Sequence, residues 1–128
     1  MPNDDASNQN LQQRENRYPS HALVELRKYK HLPFFVHSAV LLDISLGGFK
    51  IEFTGEVAAK PGDNYWLNIP LTPLGIYAPN RLLCRGECRW FDEKRFRVGG
   101  VFMQLTKSDH NIIEQVVETL KKRGALAQ

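Results

Sequence analysis

Six short apolar runs follow one another between Ala22 and Leu105, and each ends in turn-forming residues. They read ALVELRKY, FFVHSAVLLDIS, GFKIEF, NYWLNIPL, LLCRGECRWF and FRVGGVFMQL. In GFKIEF the alternation is clean: Phe49, Ile51 and Phe53 take one face, Lys50 and Glu52 the other. That period of two is the mark of a half-buried strand. GEVAAKPGD carries a Pro-Gly turn signal, TPLGIYAPN is a loop, and DEKR centres a hairpin. Strands this short, joined by turns, point to a mainly β fold: a six-stranded antiparallel sheet closed into a small barrel. Gly86, Gly99 and Gly100 inside the last two runs suggest the bulges or bends that a curved barrel needs.

The C-terminal segment changes period. SDHNIIEQVVETLKKRG places Ile112, Ile113, Val116, Val117 and Leu120 on one helical stripe. The pattern predicts an amphipathic helix over 108–123, with Ser108 as N-cap, Asp109 in the first turn and Gly124 as the stop. Its charges are mixed, so the stripe belongs against the barrel rather than on a membrane. At the other end, MPNDDASNQNLQQRENR has no apolar periodicity. It reads as a flexible arm, with residues 1–13 outside the domain and 14–124 within it.

Composition excludes more than it assigns. At 128 residues the chain is one domain with room for a real core. A net charge of +3 permits an anionic partner without demanding one. No run approaches a membrane span, and the polar, acidic N-terminus is not a signal peptide, which points to the cytoplasm. Cys84 and Cys88 lie four residues apart on one strand, roughly 13 Å at ~3.3 Å per residue. They neither bond each other nor share a metal, and read as small buried apolar residues. His21, His31, His37 and His110 are scattered without ligand spacing, and no nucleophile motif appears. An enzyme is not expected.

Binding residues stand out in two places. In DISLGGFK, Asp43 and Ser45 are two apart, so an extended chain presents both on one face. A carboxylate there can accept two N–H bonds from a guanine edge, and a hydroxyl can bond a base or phosphate. Gly48 would let a ligand approach the backbone closely, or would take a positive φ. The same residues also make an ordinary turn closed by its own side chains. Upstream, Arg14 and Arg17 stand where the arm meets the barrel, and arginine forks bind phosphate and stack on purines.

An arginine arm, a strand, D-x-S-x-x-G, a small barrel and a C-terminal helix together resemble the PilZ domain family. Asp43, Ser45 and Gly48 fit the second family motif, and Arg17 before Tyr18-Pro19 fits the second arginine of R-x-x-x-R. The first arginine of that motif falls at Gln13, with Arg14 beside it. The resemblance implies a receptor for the bacterial second messenger cyclic di-GMP, with the arginines on phosphate and guanine and the Asp-Ser-Gly turn opposite. It also implies an aromatic near the ligand at Trp90, although strand alternation places Trp90 with Leu82, Cys84 and Cys88 in the core. The implied output is an ordered arm offered to a protein partner of a motility, exopolysaccharide or secretion system. The alternative is a PilZ-like interaction scaffold that has lost or weakened nucleotide binding, which Gln13 favours. Nucleic acid is disfavoured as a partner, because Phe49, Phe53 and Phe102 alternate inward instead of lining an exposed basic face.

Overall fold

The computed structural model describes residues 18–30 and 34–127. Its strands are β1 (Tyr18–Pro19), β2 (Leu23–Arg27), β3 (Val36–Ile44), β4 (Gly48–Phe53), β5 (Asn64–Pro70), β6 (Arg81–Asp92) and β7 (Arg97–Met103). A 3-10 turn, Thr72–Leu74, follows β5, and helix α1 (Lys107–Ala127) ends the chain. All pairings are antiparallel and run β3-β2-β5-β6-β7-β4, with β4 returning to β3. The sheet is therefore a closed six-stranded barrel, which leaves no open edge. The two residues of β1 pair with Asp43 and Ile44, extending the ladder that β2 makes with the other end of β3. Backbone bonds from Ser20 N to Leu42 O (3.0 Å) and from Leu41 N to Ala22 O (2.8 Å) bridge the gap between them.

The inward faces follow the alternation. Val24, Leu26, Leu41, Ile51, Leu67, Ile69, Cys84 and Val98 are all buried in one cluster. Phe49 is the largest fully buried side chain, and its ring lies where Cβ atoms on Gly86 and Gly100 would otherwise sit. Gly86 thus makes room for an aromatic rather than marking a bulge, while Gly100 does both, since it and Gly99 lie opposite the point where the β6–β7 register shifts. Burying a phenylalanine of this kind contributes about 1.5–3 kcal/mol, so the exchange favours the core. Helix α1 closes one end of the barrel. Ile113, Val116, Val117 and Leu120 pack into the core alongside Leu71, Leu74, Ile76 and Ala22. Arg123 Nη1 donates to Pro73 O at 2.9 Å and ties the helix to the 3-10 turn.

The helix begins earlier and ends later than its sequence pattern predicts. Thr106, not Ser108, caps it: Thr106 Oγ1 accepts from Asp109 N at 3.0 Å. Gly124 does not stop it, because it does not take the left-handed conformation that a C-terminal cap requires. No helix among the described residues is long and apolar enough to cross a membrane.

Both cysteines are free and buried. Burial, with Asp109 nearby, pushes the Cys84 thiol up to about 12. Burial, with Asp63 nearby, also raises Cys88, whose Sγ donates to Trp90 O at 3.4 Å. The reactive species is the thiolate. Neither cysteine should therefore react with a thiol reagent at pH 8 in the folded protein, and both should react fully in guanidinium. Rapid labelling of the native chain would show that this wall of the barrel opens.

Candidate functional site

Four residues from four strands form one cross-strand row on the outer wall. Asp43 of β3 is opposite Lys50 of β4, Lys50 is opposite Gly99 of β7, and Gly99 is opposite Trp90 of β6. Pro19 of β1 extends the row on the other side of Asp43. The chain therefore enters the barrel directly beside Asp43.

Two bulges create this row. The β3–β4 register shifts between Leu41 and Asp43, leaving Leu42 as the extra residue. The β6–β7 register shifts between Cys88 and Trp90, leaving Arg89 as the extra residue. One added residue reverses the facing of every side chain beyond it. Without the shifts, Asp43 would follow Ala39 and Leu41 inward, and Trp90 would follow Cys84 and Cys88. With them, Leu41 and Ile44 are both buried while Asp43 turns outward, and Trp90 is 42% exposed. The core placement of Trp90 by alternation is thus overturned by a single bulged arginine.

The row is tightly organised. Lys50 Nζ lies 3.9 Å from Asp43 Oδ2, a loose ion pair. The same ammonium stands 6.0 Å from the Trp90 ring centroid, at the outer limit of a cation–π contact. The Trp90 indole rests over Gly99, where any Cβ would collide with the ring. The result is a flat aromatic surface, a cation and a carboxylate in line. Alternation in GFKIEF already turned Lys50 outward, but nothing in the sequence placed it between Asp43 and Trp90.

Ser45 and Gly48 do something different. Strand β3 ends at Ile44, and Ser45 is buried beyond it, so it does not share an outward face with Asp43. Ser45 N donates to Gly48 O at 2.9 Å, and the Ser45 hydroxyl donates to the same oxygen at 3.3 Å. Gly48 N in turn donates to Ser45 Oγ at 3.1 Å. Phe102 N donates to Gly47 O at 3.0 Å and fastens the turn to β7. The hydroxyl thus closes the β3–β4 turn. Gly48 has no positive φ; a Cβ there would strike the carbonyl oxygen of Gly100. It gives clearance to a neighbouring strand.

Gln13, Arg14 and Arg17 lie outside the described residues. Among the described residues no cluster of three metal-ligating side chains occurs.

The family model described as PilZ domain matches residues 11–119, most of the chain. The chain belongs to the PilZ domain family. Solved PilZ structures share its fold at low identity. The PilZ domain of YcgR from Escherichia coli with c-di-GMP superposes with a TM-score of 0.64 at 12% identity, over 84% of this chain and 90% of that one. The PilZ domain of CeSA from a cellulose-synthesising bacterium gives 0.62 at 13%, over 82% and 97%. The motility inhibitor MotI/DgrA of Bacillus subtilis gives 0.62 at 14%, over 84% of this chain and 49% of that one. Among curated protein sequences none matches significantly. Within the PilZ barrel, then, the D-x-S-x-x-G signature divides into an outward carboxylate, Asp43, and a turn built by Ser45 and Gly48.

Proposed function

We propose that this PilZ domain is a cyclic di-GMP receptor that signals through a protein partner and has no catalytic role of its own. The observation that carries the reading is the row of Asp43, Lys50 and Trp90 on one outer face, beside the point where the arginine arm enters. Each member suits one part of a cyclic guanine dinucleotide. The Asp43 carboxylate accepts the paired N–H donors of a guanine edge. The Trp90 ring offers a stacking surface, worth ~1–3 kcal/mol per base. Lys50 and the arm's Arg14 and Arg17 supply positive charge for the phosphates. Ser45 and Gly48 act through the turn that holds Asp43 in place. Ligand favours the arm conformation in which the arginines close over it, so it shifts the population toward that state. The ordered arm is the surface a cytoplasmic motility, exopolysaccharide or secretion component would read. The YcgR domain that shares this fold is solved with c-di-GMP, which supports the choice of ligand.

Calorimetric titration with cyclic di-GMP should give micromolar binding. A folded sample with no heat and no chemical-shift change at millimolar ligand would end the receptor reading. Gln13 favours a second reading, an interaction scaffold without nucleotide binding, because an amide replaces a charged fork. Losing one charge-assisted contact costs about 1.5–3 kcal/mol, roughly ten- to a hundred-fold in affinity. Gln13→Arg should accordingly tighten binding by about tenfold. An unchanged affinity would mean that Arg14 already fills the place.

A further inference from the structure

We infer that the two ends of the β2–β3 connection, residues 28–30 and 34–35, dock on an anionic membrane surface. They expose three aromatic rings that no core claims: Tyr29, Phe34 and Phe35, the two phenylalanines 62% and 59% exposed. The two ends are joined by Lys28 N donating to Phe35 O at 3.3 Å. Phe35 holds φ at 56°, a left-handed conformation that bulky residues seldom adopt.

Cations are interleaved with these rings. Lys28 Nζ lies 5.8 Å from the Tyr29 centroid and 5.5 Å from that of Phe35. On the adjoining wall Lys30 Nζ stands 4.8 Å from the Trp66 ring and Arg85 5.6 Å from it. Trp66 is the cross-strand partner of both Arg27 and Arg85. Of the neighbouring acids, Glu25 pairs with Arg27 at 2.9 Å, Asp63 accepts from Lys60 N at 3.0 Å, and Asp109 lines the same hollow as Lys30, Trp66 and Arg85, which leaves the cations in excess. Exposed apolar rings with Lys28 among them and Lys30 and Arg85 on the adjoining wall match the chemistry of a bilayer interface with acidic headgroups. The rings enter the acyl boundary and the cations stay with the phosphates.

Nucleic acid fits less well. It needs bare ring faces along a continuous basic track. Here Trp66 is already covered by Lys30 and Arg85, and the next cross-strand row carries Glu25, Asn68 and Leu83. The connection meets β3 at Val36, seven residues from Asp43, or roughly 23 Å at ~3.3 Å per residue. Docking therefore leaves the outer row of Asp43, Lys50 and Trp90 open, and the inference does not depend on what that row binds.

The test is sedimentation of the full chain with vesicles of phosphatidylcholine, with and without phosphatidylglycerol. The wild type should partition to the anionic vesicles and less so as salt rises. Lys28→Glu with Lys30→Glu should lower that partition by at least roughly thirtyfold, and Phe34→Ser with Phe35→Ser by at least about tenfold. These side chains lie outside the core, so both double variants should melt as the wild type does. Equal affinity for neutral and anionic vesicles, no binding to either, or binding that survives both double substitutions would overturn the proposal. Two further results also overturn it: oligonucleotide binding lost in the same variants would assign the surface to nucleic acid. Self-association abolished by the phenylalanine changes would assign it to a second copy of the chain.

Discussion

Asp43→Ala is expected to weaken cyclic di-GMP binding by roughly ten- to a hundred-fold, while the barrel stays folded. The size corresponds to a net loss of about one charge-assisted bond to guanine N–H groups, about 1.5–3 kcal/mol, with water replacing the other. A second effect runs the other way. The substitution releases Lys50, now 3.9 Å from the carboxylate, to attract phosphate. A loose, partly buried ion pair of that length is worth about 1 kcal/mol, so the lost guanine bonds prevail. Folding should be spared because the β3–β4 turn is closed by the Ser45 hydroxyl and the Gly48 backbone, not by Asp43. Arg17→Ala should weaken binding by a similar factor from the opposite side. Calorimetry and a thermal melt on the same samples separate the two outcomes. Tighter binding by Asp43→Ala would mean that the carboxylate only restrains Lys50, and guanine recognition would have to be sought elsewhere.

Gly48→Ala is expected to destabilise the fold by about 2–3 kcal/mol, with a fall in melting temperature of roughly 10 °C for a domain of this size. The new methyl would meet the Gly100 carbonyl oxygen. That oxygen cannot move aside, because Gly100 is paired on both flanks, with Phe49 of β4 and Cys88 of β6. The entropy gained by replacing glycine, about 0.4–1 kcal/mol, is smaller than the clash. Gly47→Ala supplies the contrast. Nothing lies within 4 Å of its added methyl, and its φ is not in the left-handed region. It should be neutral or stabilising by up to ~1 kcal/mol. If both variants melted alike, the close approach of β4 to β7 would not be what Gly48 is for.

Most of the fold was legible because alternation and turn chemistry are local. Each of the six runs became a strand within a few residues of its pattern, since a period of two can bury only one face. The helix ends were less legible. Whether Thr106 or Ser108 caps depends on which hydroxyl reaches a free N–H, and whether Gly124 stops the helix depends on a φ that composition does not set. The candidate site was legible as residue types but not as geometry. Between Lys50 and Trp90 lie 39 residues of chain, and only pairing through β7 brings Asp43, Lys50 and Trp90 into line.

The sequence by itself determined the barrel, the inward face of Phe49, Ile51 and Phe53, the burial of Cys84 and Cys88, and the family resemblance through D-x-S-x-x-G. Only the tertiary structure decided which way Asp43 and Trp90 face. Alternation alone sends both inward. A bulge at Leu42 and another at Arg89 send both outward. A bulge is a property of two paired strands, since one residue is extra only by comparison with its partner. That count cannot be made on one strand at a time.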